Sequence, residues 1–310
     1  RPNMLNFLPS FLIGSLAFLF LVVNTTFWSL PIYVMVLFKL IIPIQSWQRL
    51  CTKASIWLAE MWITCNSGMM WLTQRTTWEI TGLDNLKKED WYLVVANHQS
   101  YVDIFAMQHV FNRRIPFLKF FIKQELIWVP IIGLAWWGLD FPFMKRYSKA
   151  FLQKHPELRG KDIETTRKKC EKFKHTPVSV MNYLEGTRFT PAKHARQQSP
   201  YNYLLKPKAG GVALVLSAMN EQIKTMVNVT IIYPDGIPSF WDFLSGKVKR
   251  IVMQVEKLEI PASFLKGDYQ NDPFFREQFQ TWVRELWEEK DTVIAGVVEE
   301  KRPFLAKELI

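Results

Sequence analysis

Apolar and polar positions divide this chain into stretches of different character. No charged side chain occurs from residue 2 to residue 38. Leu5 to Val23 is one largely apolar run, Asn24-Thr25-Thr26 interrupts it, and Phe27 to Ile44 is a second whose only charge is Lys39. A spanning helix needs about 20 apolar residues, roughly 17 at the lower end, so each run is just long enough. The pattern predicts a membrane-embedded helical hairpin over residues 1–45, spanning twice or re-entering, with Pro9, Pro31 and Pro43 weakening its helices. Arg1, Arg49 and Lys53 lie outside both runs, which puts both ends on the cytoplasmic side. No small-residue cleavage site follows the runs, so a cleaved leader is not expected. From Ser46 to Arg75, apolar residues recur at helical spacing (Leu50, Ala54, Trp57, Met61, Cys65, Met69, Leu72), predicting an amphipathic helix in residues 46–77.

Residues 78–260 carry shorter periods. Strands are predicted at Trp78–Thr81, Tyr92–Ala96, Phe117–Phe120, Phe141–Met144, Val178–Leu184, Val227–Tyr233 and Arg250–Val255. Helices are predicted between them at Ile104–Phe111, Tyr147–Lys174 and Gly211–Met219. Such alternation implies an α/β domain with a largely parallel sheet and flanking helices. In these sheets ligands bind beyond the carboxyl ends of the strands. Residues 261–310 read as a helical extension, with Phe275, Phe279, Trp282 and Leu286 on one stripe and no evident chemistry.

Composition adjusts this picture in three ways. Thirteen Trp and twenty-three Phe among 310 residues suit a protein that meets lipid. The net charge of +11 is uneven, with eleven Lys/Arg against four Asp/Glu from Lys145 to Lys174. That region suits a polyanionic ligand or an anionic membrane surface. Nucleic acid is not expected as a partner, because no recognition module accompanies the charge. Cys51, Cys65 and Cys170 form no CxxC and no metal-ligand spacing, so they read as reduced thiols and no metal is expected.

The chemistry concentrates at strand ends. Asn97-His98-Gln99-Ser100-Tyr101-Val102-Asp103 follows the strand Tyr92–Ala96 and precedes a helix for which Ser100 suits the N-cap. A histidine at such a turn is held from both sides, and Asp103 in the first helical turn can accept its N–H. That leaves the other ring nitrogen to take a proton from a hydroxyl. Chance supplies this spacing in roughly one such chain in six, so the pair needs support from elsewhere. None of the other four histidines has an aspartate at that distance.

A second strand ends in Glu185-Gly186-Thr187-Arg188, where Arg188 offers a planar fork for phosphate and Glu185 a carboxylate to hold that fork or take part in ordering the site. Lys145 and Arg146 close the Phe141–Met144 strand. Lys206 and Lys208 precede Gly210-Gly211, a suitable anion site at a helix start.

These blocks, in this order, resemble the 1-acylglycerol-3-phosphate acyltransferase (lysophospholipid acyltransferase) family over about residues 78–235. The string Glu185-Gly186-Thr187-Arg188-Phe189-Thr190-x2-Lys193-His194 is similar to a branch shared by some eukaryotic isoforms and bacterial YihG-type acyltransferases. The resemblance implies catalysis by His98 and Asp103. It implies acceptor binding by Arg146 and by Glu185, Gly186, Thr187 and Arg188, beside which stand Lys145 and Lys208. Lys145 replaces an aspartate of many members, and Asn228–Pro234 lacks the first proline of the family's last block. The implied reaction moves an acyl group from acyl-CoA or acyl carrier protein to lysophosphatidic acid, with no cofactor. The implied location is a bacterial inner membrane, with the catalytic domain on the cytoplasmic side. Another lysophospholipid acceptor, or a catalytically inactive membrane-surface binding protein on the same scaffold, are the alternatives.

Overall fold

The computed structural model describes residues 7–144, 170, 173, 176–219 and 221–300. At its centre runs Tyr92–Ala96, buried at every position. A short β-branched run without polar alternation must be covered on both faces, which makes it an inner strand. Strands β1 (Thr77–Thr81), β2 (Tyr92–Ala96), β3 (Leu118–Phe120), β6 (Ser179–Tyr183), β7 (Thr225–Ile232) and β8 (Arg250–Glu259) form one sheet in the order β1-β8-β7-β2-β6-β3. Neighbours in β7-β2-β6-β3 are parallel, and β8 with β1 runs the opposite way, so the sheet is largely parallel as predicted.

One correction concerns Phe141–Met144. Strand β5 (Phe143–Met144) does not join the main sheet; it pairs with β4 (Ile122–Lys123) in a separate two-stranded ladder. Phe141 and Phe143 pack instead into an apolar cluster with Ile32, Val36 and Ile63. Lys145 and Arg146, the basic region to Lys174 and the predicted helix there lie outside the described residues, apart from Cys170 and Phe173.

Alternate residues of β2 serve two cores. Leu93 and Val95 face α6 (Gly210–Met219) and α9 (Pro273–Glu299), meeting Val212, Leu216, Phe279 and Trp287. Tyr92, Val94 and Ala96 face α3 (Val102–Phe111) and α7 (Phe240–Leu244), meeting Ala106, Val110 and Phe243. Burying each large apolar side chain stabilises the fold by roughly 1.5–3 kcal/mol. In register, Ala96 lies beside Tyr183 and Val229, so β2 and β6 reach the same sheet edge together.

The N-terminal part departs from the predicted hairpin. A single helix, α1 (Ser10–Ile41), runs through Asn24-Thr25-Thr26 and Pro31, and turns only at residues 42–44 into α2 (Gln45–Thr73). The polar triplet does not break the helix because α2 partners it: Asn24 Nδ2 donates to Asn66 Oδ1 at 2.8 Å, and Trp62 Nε1 to Thr25 Oγ1 at 3.1 Å. The hairpin's arms are therefore α1 and α2. Helix α1 is long and apolar enough to cross a membrane, and is the described helix of which that holds.

The face α2 buries also differs from the apolar stripe in its sequence. Cys51, Ser55, Ala59 and Asn66 are buried, whereas Leu50, Trp57 and Leu72 are exposed. Small residues let two helices approach closely over that part of α2, while Ile63, Met69 and Met70 are buried with them.

Candidate active site

Strand β2 delivers His98 to the carboxyl edge, and the turn into α3 brings Asp103 back beneath it. His98 Nδ1 lies 2.8 Å from Asp103 Oδ2. The same oxygen accepts the backbone N–H groups of Gln99 at 2.6 Å and Ser100 at 2.9 Å, and Oδ1 accepts the Tyr233 hydroxyl at 2.6 Å. Asp103 is fully buried. A carboxylate with that many donors is held in one orientation, and it requires the proton of His98 on Nδ1. Nε2 then carries the free lone pair, and the His98 side chain is 14% exposed.

Further contacts fix the ring. It stacks on Tyr183 with centroids 4.0 Å apart and planes 13° apart. Asn97 bonds β7 in both directions, donating to Ile231 O at 2.8 Å and accepting from Ile231 N at 2.9 Å. Phe189 N donates to His98 O at 2.7 Å. The helix N-cap is Tyr101, without a side-chain cap, and not Ser100 as expected; Ser100 Oγ accepts Val102 N at 3.2 Å and donates to Pro238 O at 2.7 Å, tying the turn to that loop. Burial, ahead of repulsion from Asp103, pushes the hydroxyls of Tyr183 and Tyr233 well above the usual phenol range, so both stay protonated. Sequence reasoning missed the two tyrosines. Tyr233 stands at the very end of a strand just before Pro234, the one local sign that could have pointed to it.

The second block is rearranged relative to expectation. Gly186 adopts a φ of 67°, which only glycine takes without strain, and that sharp turn exposes the next residues. Of its two expected roles, Glu185 takes the ordering of the site and not the holding of Arg188. It is fully buried, and its two oxygens accept the backbone N–H groups of His98 at 2.9 Å and Leu205 at 3.0 Å. Two main-chain donors, one of them at the His98 turn, outcompete a solvated guanidinium for the buried carboxyl. Arg188 lies over Tyr101, with its guanidinium carbon 3.6 Å from the ring centroid and Nη2 2.9 Å from the hydroxyl. Thr187 Oγ1 accepts Lys193 Nζ at 2.8 Å, and the same ammonium bonds Arg188 O at 2.9 Å. Lys193 is thus part of this turn. Arg188 and Tyr101 are next to the His98 turn and open to solvent, a placement suited to an anionic substrate group. Lys208 meets this block through its backbone, its N–H bonding Leu184 O at 2.7 Å, and its side chain is exposed.

Beneath the site lies a group with no signal in the local sequence. Lys290 of α9 is buried and donates to Val229 O at 2.7 Å and Thr230 Oγ1 at 2.9 Å. Its neighbours Trp287 and Asp291 bind the 201–205 loop, through Leu205 O at 3.1 Å and through Asn202 N and Tyr203 N at 2.8 Å each. Burial pushes Glu185 up to about 8 and Lys290 down to about 7, while each favours the charged form of the other. The arrangement as a whole offers a fixed base, a buried acid partner and an open cation beside them. It can take a proton from a hydroxyl on a substrate that carries a negative group.

A family model described as "Acyltransferase" matches residues 77–236. The chain is 26% identical over 250 residues to the 1-acyl-sn-glycerol-3-phosphate acyltransferase gamma of Mus musculus, covering 77% of this chain and 59% of that one. To the gamma protein of Homo sapiens it is 25% identical over 268 residues, covering 80% and 64%. The chain therefore spans less than two thirds of these relatives. Among solved structures, the 1-acyl-sn-glycerophosphate (LPA) acyltransferase PlsC of Thermotoga maritima is similar in fold, with a TM-score of 0.51 at 16% identity, covering 94% of this chain and 96% of that one.

Proposed function

The chain belongs to the acyltransferase family, and on that premise we propose that it acylates the free hydroxyl of lysophosphatidic acid from an acyl thioester, giving phosphatidic acid. The observation that carries this reading is the 2.8 Å contact between His98 Nδ1 and an Asp103 carboxylate pinned by further donors. His98 Nε2 removes the hydroxyl proton as that oxygen attacks the thioester carbonyl. Asp103 stabilises the imidazolium that forms. Attack forms the new C–O bond and a tetrahedral oxyanion; collapse of that intermediate re-forms the carbonyl, breaks the C–S bond and releases the thiolate, which takes the proton from the His98 imidazolium. Arg188, with Thr187 and Lys193 shaping its turn, receives the acceptor's phosphate. Acyl-CoA or acyl carrier protein supplies the thioester.

The protein works on a membrane surface. Along α1, Leu12, Leu16, Leu19, Val23, Phe27 and Leu30 are exposed at helical spacing, while the opposite face packs on α2. A helix apolar on both faces has lipid as its natural outer neighbour. Incubating purified protein with a panel of lysolipids and acyl-CoAs, followed by lipid mass spectrometry, tests the reading. Phosphatidic acid should be the dominant product. Acylation of a different headgroup at higher kcat/KM would reassign the acceptor.

A further inference from the structure

Behind the 201–208 loop lies a cavity of about 480 Å³ whose lining includes Lys206, Lys208, Gly210, Tyr269, Gln280 and Arg284. That volume is in the range of sites that hold a cofactor-sized ligand. Its charge is one-sided. The ammoniums of Lys206 and Lys208 are exposed, and no carboxylate lines the cavity among the described residues. Arg284 shares its guanidinium with Glu277 at 2.7 Å, and Gln280 Nε2 bonds the Tyr269 hydroxyl at 2.8 Å, so that wall is held in place. Helix α6 starts at the cavity: Ala213 N returns to Ala209 O at 3.0 Å, and the earlier N–H groups point out of the helix end.

We infer that this cavity binds the phosphates of coenzyme A, the carrier of the acyl donor. The inference rests on the thioester-donor reading above. In lysophosphatidic acid only a methylene and an oxygen separate the phosphorus from the carbon bearing the reacting hydroxyl. The acceptor's phosphate must therefore sit beside His98. None of the cavity's lining side chains is among those that bond His98 or Asp103. In acyl-CoA the phosphates lie at the far end of the pantetheine arm from the thioester, so a basic cavity lined by none of the groups that hold His98 matches them. The loop between links the two places: Leu205 N bonds Glu185 on one side and Lys208 N bonds Leu184 O. A concave pocket also suits a nucleotide better than the convex acidic surface of a carrier protein.

The test uses the full chain in detergent micelles and adenosine 3′,5′-bisphosphate, the head of coenzyme A without its arm. Calorimetry should show the bisphosphate and coenzyme A binding to the wild type, and each binding at least tenfold more weakly to Lys206→Ala/Lys208→Ala. The KM for acyl-CoA should rise by a similar factor, while the KM for lysophosphatidic acid moves less than twofold. An acyl-N-acetylcysteamine thioester, which has no nucleotide, should be used with equal kcat/KM by both proteins. A wild type that fails to bind the bisphosphate, or a variant whose KM rises for the lysolipid instead of the donor, would overturn the inference. Absence of acylation from either thioester in the wild type would strike the parent reading, and the calorimetry would still decide the cavity.

Discussion

At the scale of single residues, the proposed mechanism depends on holding one imidazole in a single tautomer. Asp103 does this with charge as well as geometry, since its oxygens already accept two backbone N–H groups and the Tyr233 hydroxyl. Asp103→Asn keeps the shape, loses the charge and can present an N–H to the ring. Kinetics should show kcat falling by orders of magnitude with acceptor KM nearly constant; a raised KM with kcat held would make Asp103 a binding residue. Arg188→Lys separates charge from fork. It keeps the cation but loses both bidentate geometry and the stack on Tyr101. For lysophosphatidic acid, kcat/KM should fall about ten- to a hundredfold. For a monoacylglycerol lacking the phosphate, it should change little. Equal losses on both acceptors would assign Arg188 to the fold or the donor.

Among the elements, the C-terminal helix α9 supports the catalytic edge although it lies beyond the family's matched residues. Lys290→Met leaves Val229 O and Thr230 Oγ1 without their donor and Glu185 without its nearby countercharge. Leaving a buried acceptor without its donor costs about 1–3 kcal/mol, measurable by urea unfolding. The pH dependence has a definite sign. Glu185 titrates near 8 in the fold, above its unfolded value, so its contribution to stability is complete below that unfolded value and is lost as pH rises through about 8. Lys290, down at about 7, contributes oppositely, losing stability as pH falls through about 7. The variant keeps only the first effect, so its stability should drop between pH 5 and 9 more steeply than the wild type's. Parallel pH curves would show that Lys290 does not titrate differently in the folded and unfolded chain. The strands β2 and β6, helix α3 and the His98–Asp103 pair were legible because each rests on a local pattern. The continuity of α1 was not, since Asn24 finds its partner Asn66 only after the chain has turned back. Lys290 was equally hidden: on a charged helix, nothing local marks a lysine that turns inward to β7.

At the scale of the whole molecule, α1 and α2 pack as a pair, and their outer apolar side chains are the proposed lipid-facing surface. Leu19→Glu/Val23→Glu places two charges on that surface without touching the buried face. Each charge costs roughly 2.5–3.5 kcal/mol at the centre of a bilayer, so vesicle flotation should fall sharply while the circular dichroism spectrum stays the same. Undiminished flotation would place the membrane contact elsewhere. Everything the assembled molecule is proposed to do passes through one nitrogen, His98 Nε2. The decisive measurement is phosphatidic acid formation by wild type and His98→Ala, side by side, from the same lysophosphatidic acid and acyl thioester. Loss of a general base should lower kcat by about 10²–10⁴-fold in a variant that remains folded and membrane-bound. A folded His98→Ala protein that turned over like the wild type would contradict it.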